Sequence, residues 1–130
     1  MATSPKPTDA ELQILRVLWK LGSGTVRDVY NELNQQRETG YTTVLKLMQI
    51  MTEKGLVIRD ESERTHVYRA KVSADLTQKR LVKDLLDRVF EGSATQLVMQ
   101  ALSAKRVSAE ELAEIKRLLA EHSDEVSGSK

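Results

Sequence analysis

Thr42, Lys46 and Gln49 follow one another at intervals of four and three residues, which at about 100° per residue gathers them on one side of a helix. A hydroxyl, an ammonium and a carboxamide held together in this way form a set that reads the edges of base pairs. Lysine donates to guanine O6 and N7, a carboxamide pairs with adenine N6 and N7, and threonine offers a methyl and a hydroxyl. A solvated polar face carries the same residue types, so the reading depends on the element that holds them. Tyr41, one residue ahead, has a hydroxyl suited to a phosphate oxygen and equally a ring able to plug a helix end. Arg59, Arg64 and Arg69 surround a turn that also holds Asp60, Glu61 and Glu63. Arg64 at its tip reads as a phosphate contact or as a solvated turn residue. His66, on the returning strand, faces backbone phosphate or sugar, or is a packed or solvated strand histidine.

The totals limit the alternatives. The chain has 130 residues, 40% hydrophobic, with a net charge of +1, so phosphate binding has to come from a local grouping of Lys and Arg. With no cysteine there is no disulfide, thiolate nucleophile or cysteine-ligated metal. His66 and His122 lie far apart and neither opens a metal-binding or nucleophile motif, so we expect no enzyme activity, no metal and no cofactor. No apolar run approaches the roughly 20 residues of a membrane span, and Met1 to Pro7 lacks the apolar core of a signal peptide. A cytoplasmic location without membrane contact is expected.

The elements that must position these residues are readable from caps and periodicity. Thr8-Asp9-Ala10-Glu11 has the form of a capping box opening a first helix, with Leu12, Ile14, Leu15, Leu18, Trp19 and Leu21 apolar, closed by Gly22-Ser23-Gly24. Thr25 caps a second, with Val26, Val29, Tyr30 and Leu33 on one stripe. The same spacing returns as Val44, Leu47, Met48 and Met51 in a third helix that stops near Lys54-Gly55, opposite the Thr42, Lys46 and Gln49 face. Leu56 to Arg59 and Thr65 to Arg69 then read as the strands of a hairpin. Three helices and a hairpin in this order predict a mainly α fold with a small β-hairpin wing: a winged helix-turn-helix domain over residues 1–72.

Residues 73–130 read as a helical dimerisation domain with a polar tail, frayed from Ser123 onward. Leu81, Leu85 and Val89 mark one helix; Leu97 and Leu102 a second, behind a capping box at Ser93 to Gln96; Leu112, Ile115 and Leu119 a third, behind Ser108. Three short helices cannot hide so much apolar surface alone, so these eight residues are expected to join two copies, the alternative being that the helices fold back on the winged helix. The stripe from Leu97 to Leu102 is expected to be helical and buried.

Taken together, Thr8-Asp9-Ala10-Glu11-Leu12 leading to Val17-Leu18-Trp19, then Tyr41-Thr42-Thr43-Val44, Glu53-Lys54-Gly55-Leu56-Val57 and His66-Val67-Tyr68 resemble the BlaI/MecI/CopY penicillinase-repressor family from about Thr8 to Glu121. The resemblance implies a bacterial repressor that binds double-stranded operator DNA as a homodimer, with major-groove contacts at positions including Thr43 and Lys46. It also implies release by a stress signal linked to β-lactams, through a protease acting on the fifth helix or by a non-proteolytic route. An Asn-Phe bond is cut in such repressors, and Gln100-Ala101 stand at the matching positions here. Copper-responsive members carry C-terminal cysteine pairs, which this chain lacks. Two other readings stay open at this point: a MarR-type winged-helix regulator, and a winged-helix protein-interaction module without DNA affinity.

Overall fold

Capping decides where the first two helices begin. The Thr8 hydroxyl accepts from the Glu11 amide at 3.2 Å while the Glu11 carboxylate accepts from the Thr8 amide at 2.9 Å, which opens α1, Asp9–Leu21. Thr25 and Asp28 repeat the exchange at 3.1 and 2.9 Å to open α2, Val26–Gln36. The third helix, α3, spans Tyr41–Lys54 and ends at Gly55, whose φ of 80° is the left-handed conformation that a side chain would strain. These elements come from a computed structural model that describes residues 6–128.

Strands β1, Val57–Asp60, and β2, Val67–Ala70, pair antiparallel, with Val57 opposite Ala70 and Asp60 opposite Val67. The turn is longer than the residue pattern suggests. Asp60 accepts from the Ser62 amide at 2.9 Å, closing a local turn where pairing ends. Thr65 and His66 therefore lie ahead of β2, which corrects the expectation that His66 sits on the strand. A further pairing has no counterpart in the residue pattern: Gly24 and Tyr68 exchange backbone hydrogen bonds of 2.9 and 2.8 Å, tying the entry to α2 onto the hairpin. A Cβ at position 24 would come within 3.3 Å of the Asp28 Cβ, so the close approach favours glycine.

The apolar stripes of α1, α2 and α3 converge with the hairpin on one core. Ile14, Leu15, Leu18, Val29, Val44, Met48, Met51 and Leu56 are each 1% exposed or less. Burial of such side chains is worth about 1.5–3 kcal/mol apiece, which fixes how α3 lies against the rest. Trp19 is half-buried at the core's edge, and its indole N–H donates to the Val72 carbonyl at 2.9 Å.

Two compact units divide the chain, Met1–Lys83 and Asp84–Lys130. The expected boundary after residue 72 falls just before α4, Ala74–Val89, whose first turns belong to the first unit because Thr77 is buried there. Helices α5, Ala94–Ala104, and α6, Ala109–Gly128, complete the chain, opened by Ser93 and Ser108 hydroxyls that accept from Gln96 and Glu111 amides at 3.2 and 3.0 Å. Most of the polar tail continues α6 as far as Gly128 instead of fraying, and positions 129–130 lie outside the described residues. Among the described residues no side chain from Gln78 to Asp124 is buried. The stripe from Leu97 to Leu102 is helical as expected, but within one chain it is not buried: Val98, Met99 and Leu102 are exposed because no second layer covers them. No helix among the described residues is long and apolar enough to cross a membrane.

Candidate nucleic-acid interface

Because Val44, Met48 and Met51 are locked into the core, the opposite side of α3 has to face outward, and Thr42, Thr43, Lys46 and Gln49 are all exposed on it. Lys46 forms no ion pair among the described residues, so its ammonium is available. The helix's other lysine is not. Lys54 reaches across 43 residues to the buried carboxylate of Glu11 at 2.6 Å, pinning the end of α3 to the start of α1. Burial pushes the Glu11 carboxyl up, but Lys54 and the Thr8 amide more than offset this and hold it below its ordinary value. At the other end of α3 the N-cap is Gly40, which has no side chain to satisfy the first-turn amides; these add partial positive charge there.

Tyr41 heads α3 with its ring edge-on to Tyr30 of α2, centroids 5.5 Å apart at 72°. The guanidinium of Arg27, in the first turn of α2, lies 4.5 Å from the Tyr41 centroid and 5.6 Å from that of Tyr30. Beside this stack runs a groove of about 200 Å³ whose walls include Arg27, Tyr41, Leu45, Arg64, His66 and Tyr68. Tyr41 is thus brought to one groove with Arg64 and His66, more than 20 residues further on, next to the face carrying the other four candidates.

The wing sorts its mixed charges internally. Arg59 binds Glu61 at 2.7 Å, and hydrogen bonding to Tyr68 and then Glu61 raises its pKa further, so Arg59 is occupied. Asp60 is held below its ordinary value first by the Ser62 amide and then by the Ser62 hydroxyl. Arg64, at the tip, has no ion pair among the described residues.

In the C-terminal helices Leu81, Leu97 and Ile115 are half-buried, while Leu85, Val89, Leu102, Leu112 and Leu119 are exposed. Gln100 and Ala101 are exposed on α5. The residue pattern did not single out Arg27 or the Glu11–Lys54 pair, and it read Tyr30 only as part of the apolar stripe of α2. It also passed over Ile50, which is 37% exposed and off the core stripe of α3; that mismatch was the available signal, and its side chain suits a thymine methyl.

Comparison with known proteins adds to this geometry. A family model described as penicillinase repressor matches residues 7–121. The chain is 30% identical over 122 residues to the transcriptional regulator BlaI of Mycobacterium tuberculosis, covering 93% of this chain and 88% of that protein. Similarity to the penicillinase repressor of Bacillus licheniformis is 25% over 122 residues, covering 94% and 95%. Among solved structures, the Bacillus licheniformis BlaI monomeric form in complex with the blaP half-operator superposes with a TM-score of 0.50 at 25% identity, covering 58% of this chain and 92% of that one.

Proposed function

The chain belongs to the penicillinase-repressor family of transcriptional repressors, and from that premise we propose that it binds a roughly palindromic operator in double-stranded DNA as a cytoplasmic homodimer. Each α3 enters the major groove of one half-site, where Lys46 and Gln49 read base edges and Thr42 and Thr43 contact their neighbours. Arg64 and His66 face the adjoining phosphate backbone, with Tyr41 beside them in the same groove at the head of α3. The observation that carries this reading is the α3 face itself: four exposed polar side chains with an unpaired lysine, opposite Val44, Met48 and Met51 in the core.

Support for the dimer comes from the second unit, where Leu85, Val89, Leu102, Leu112 and Leu119 stay exposed in a single chain. Covering them with a second copy is worth about 1.5–3 kcal/mol for each side chain fully buried. Two-fold symmetry then sets the half-sites about 34–36 Å apart, or a multiple of that spacing. Release follows a β-lactam-linked signal through a regulatory protease that cuts α5 between Met99 and Leu102, at or next to Gln100-Ala101, which are exposed. Losing the link between two heads lowers operator affinity by about 10²–10⁴-fold without altering α3.

The test is selection of bound fragments from the source genome, followed by a salt titration on the best one. A dimer engaging about 6–10 phosphates loses on the order of 10³–10⁵ in affinity between about 50 and 200 mM salt. A flat titration refutes DNA binding and favours a protein-interaction module.

A further inference from the structure

Arg27 is placed against an electrostatic preference. It is the second residue of α2, in the turn where the helix dipole is positive and a cation is disfavoured. Its immediate neighbour Asp28 is turned back into the cap on Thr25, and Arg27 has no ion pair among the described residues. What holds the guanidinium instead is the pair of rings beneath it, Tyr41 at 4.5 Å and Tyr30 at 5.6 Å. A cation–π contact at an exposed site is of the same size as the dipole's opposition, so the rings offset it. A ring face takes up none of the guanidinium's N–H donors in an ion pair, so they stay free for an anion, which a guanidinium binds in a forked manner. Arg27 lines the same groove as Arg64 and His66 of the wing.

We propose that Arg27 is a DNA-backbone phosphate contact whose position is set by the tyrosine rings, so that Tyr41 acts as a positioning residue through its ring and not through its hydroxyl. The inference rests on the operator-binding reading above, and it favours phosphate over bases because the first helix of a helix-turn-helix crosses the backbone beside the groove. The guanidinium on α2 and Arg64 on the wing flank the head of α3, so one phosphate strand passes along the groove while α3 reads bases beside it. Since α2 and α3 are joined by the Arg27–Tyr41 stack, the backbone contact also fixes the register of the reading helix.

The test uses the full chain on its selected operator, with affinity measured by fluorescence anisotropy across a salt series. Arg27→Ala should weaken binding by a similar factor on operator and on unrelated duplex, and lower the salt slope by about 1 per head, or about 2 for the dimer. Tyr41→Phe, which keeps the ring and removes the hydroxyl, should keep the salt slope of the unsubstituted chain, the quantity that reports Arg27. Tyr41→Ala should reproduce the slope loss of Arg27→Ala and add nothing in the Arg27→Ala background. An unchanged slope in Arg27→Ala, alongside weakened and less selective binding in Lys46→Ala, overturns this inference and leaves the operator reading standing. A slope loss in Tyr41→Phe equal to that of Arg27→Ala, or additive slope losses in the double variant, overturns the positioning role. If the unsubstituted chain shows no salt-dependent binding, both readings fall. Arg27 is exposed, so the folded state of its variant is checked by an unchanged thermal melt.

Discussion

Replacing Lys54 by methionine strands the carboxylate of Glu11 inside the protein, and the consequences can be worked out from the contacts around it. The Glu11 side chain is 3% exposed and Lys54 28%. Removing one partner of a buried ion pair costs about 3–5 kcal/mol. Lys54 is partly solvated and the Thr8 amide still binds the stranded group, so we expect roughly 2–3 kcal/mol. With urea m-values of about 1–3 kcal/mol/M, the unfolding midpoint should drop by on the order of 1–2 M. Trp19 is the sole tryptophan and its indole is bonded to Val72 in the same unit, so its fluorescence follows this unfolding directly.

The pH dependence supplies an independent check. In the unsubstituted chain the folded pKa of Glu11 lies below its ordinary value, so the unfolded chain takes up the proton first as pH falls. The stabilisation is therefore complete above the ordinary carboxylate range and is lost as pH drops through the lowered folded value. Without Lys54, burial is the largest remaining influence and the carboxyl should shift upward, so acidification lets it protonate and relieves the strain. The deficit of Lys54→Met should accordingly shrink from neutral pH to about pH 4, and Glu11→Gln in the same chain should recover part of it at neutral pH. A deficit under about 0.5 kcal/mol, or one equal at both pH values, would refute this account of how α3 is anchored.

Three further outcomes follow from the interface and from the C-terminal helices. Lys46→Ala and Gln49→Ala should each cost about 1–3 kcal/mol on the best operator and relax sequence choice locally; unchanged affinity and selectivity in both would place the reading element elsewhere. A fragment of residues 1–83 should sediment as a folded monomer and bind the full operator about 10²–10⁴-fold more weakly than the whole chain, whereas a dimeric fragment or equal affinity would contradict the division of roles. Exposing source cells to a β-lactam should yield, by intact mass, fragments ending between Met99 and Ala101; operator release with the chain intact would defeat proteolytic switching.

How much of this could be read beforehand depends on the range over which each interaction acts. Both N-terminal capping boxes, Thr8 with Glu11 and Thr25 with Asp28, link residues three apart, so the residue types alone located the helix starts. The α3 face was legible for the same reason. With Val44, Met48 and Met51 apolar at helical spacing, Thr42, Lys46 and Gln49 had to lie opposite. The resemblance, carried by short ordered segments such as Tyr41-Thr42-Thr43-Val44, reached the family directly. Contacts closed only by docking were not legible. Glu11 looked like a cap and no more until α3 brought Lys54 to it, and nothing in the residue pattern marked Arg27, whose two tyrosine rings come from α2 and α3. The turn register that moved His66 off β2, and the Gly24–Tyr68 pairing, depend on backbone hydrogen bonds that side-chain patterns do not specify. Sequence determines what lies within a turn or two of itself, through caps, propensity and period. Which distant charges and rings meet is decided by the packing of the core, because only the docked helices bring those groups within a few ångströms.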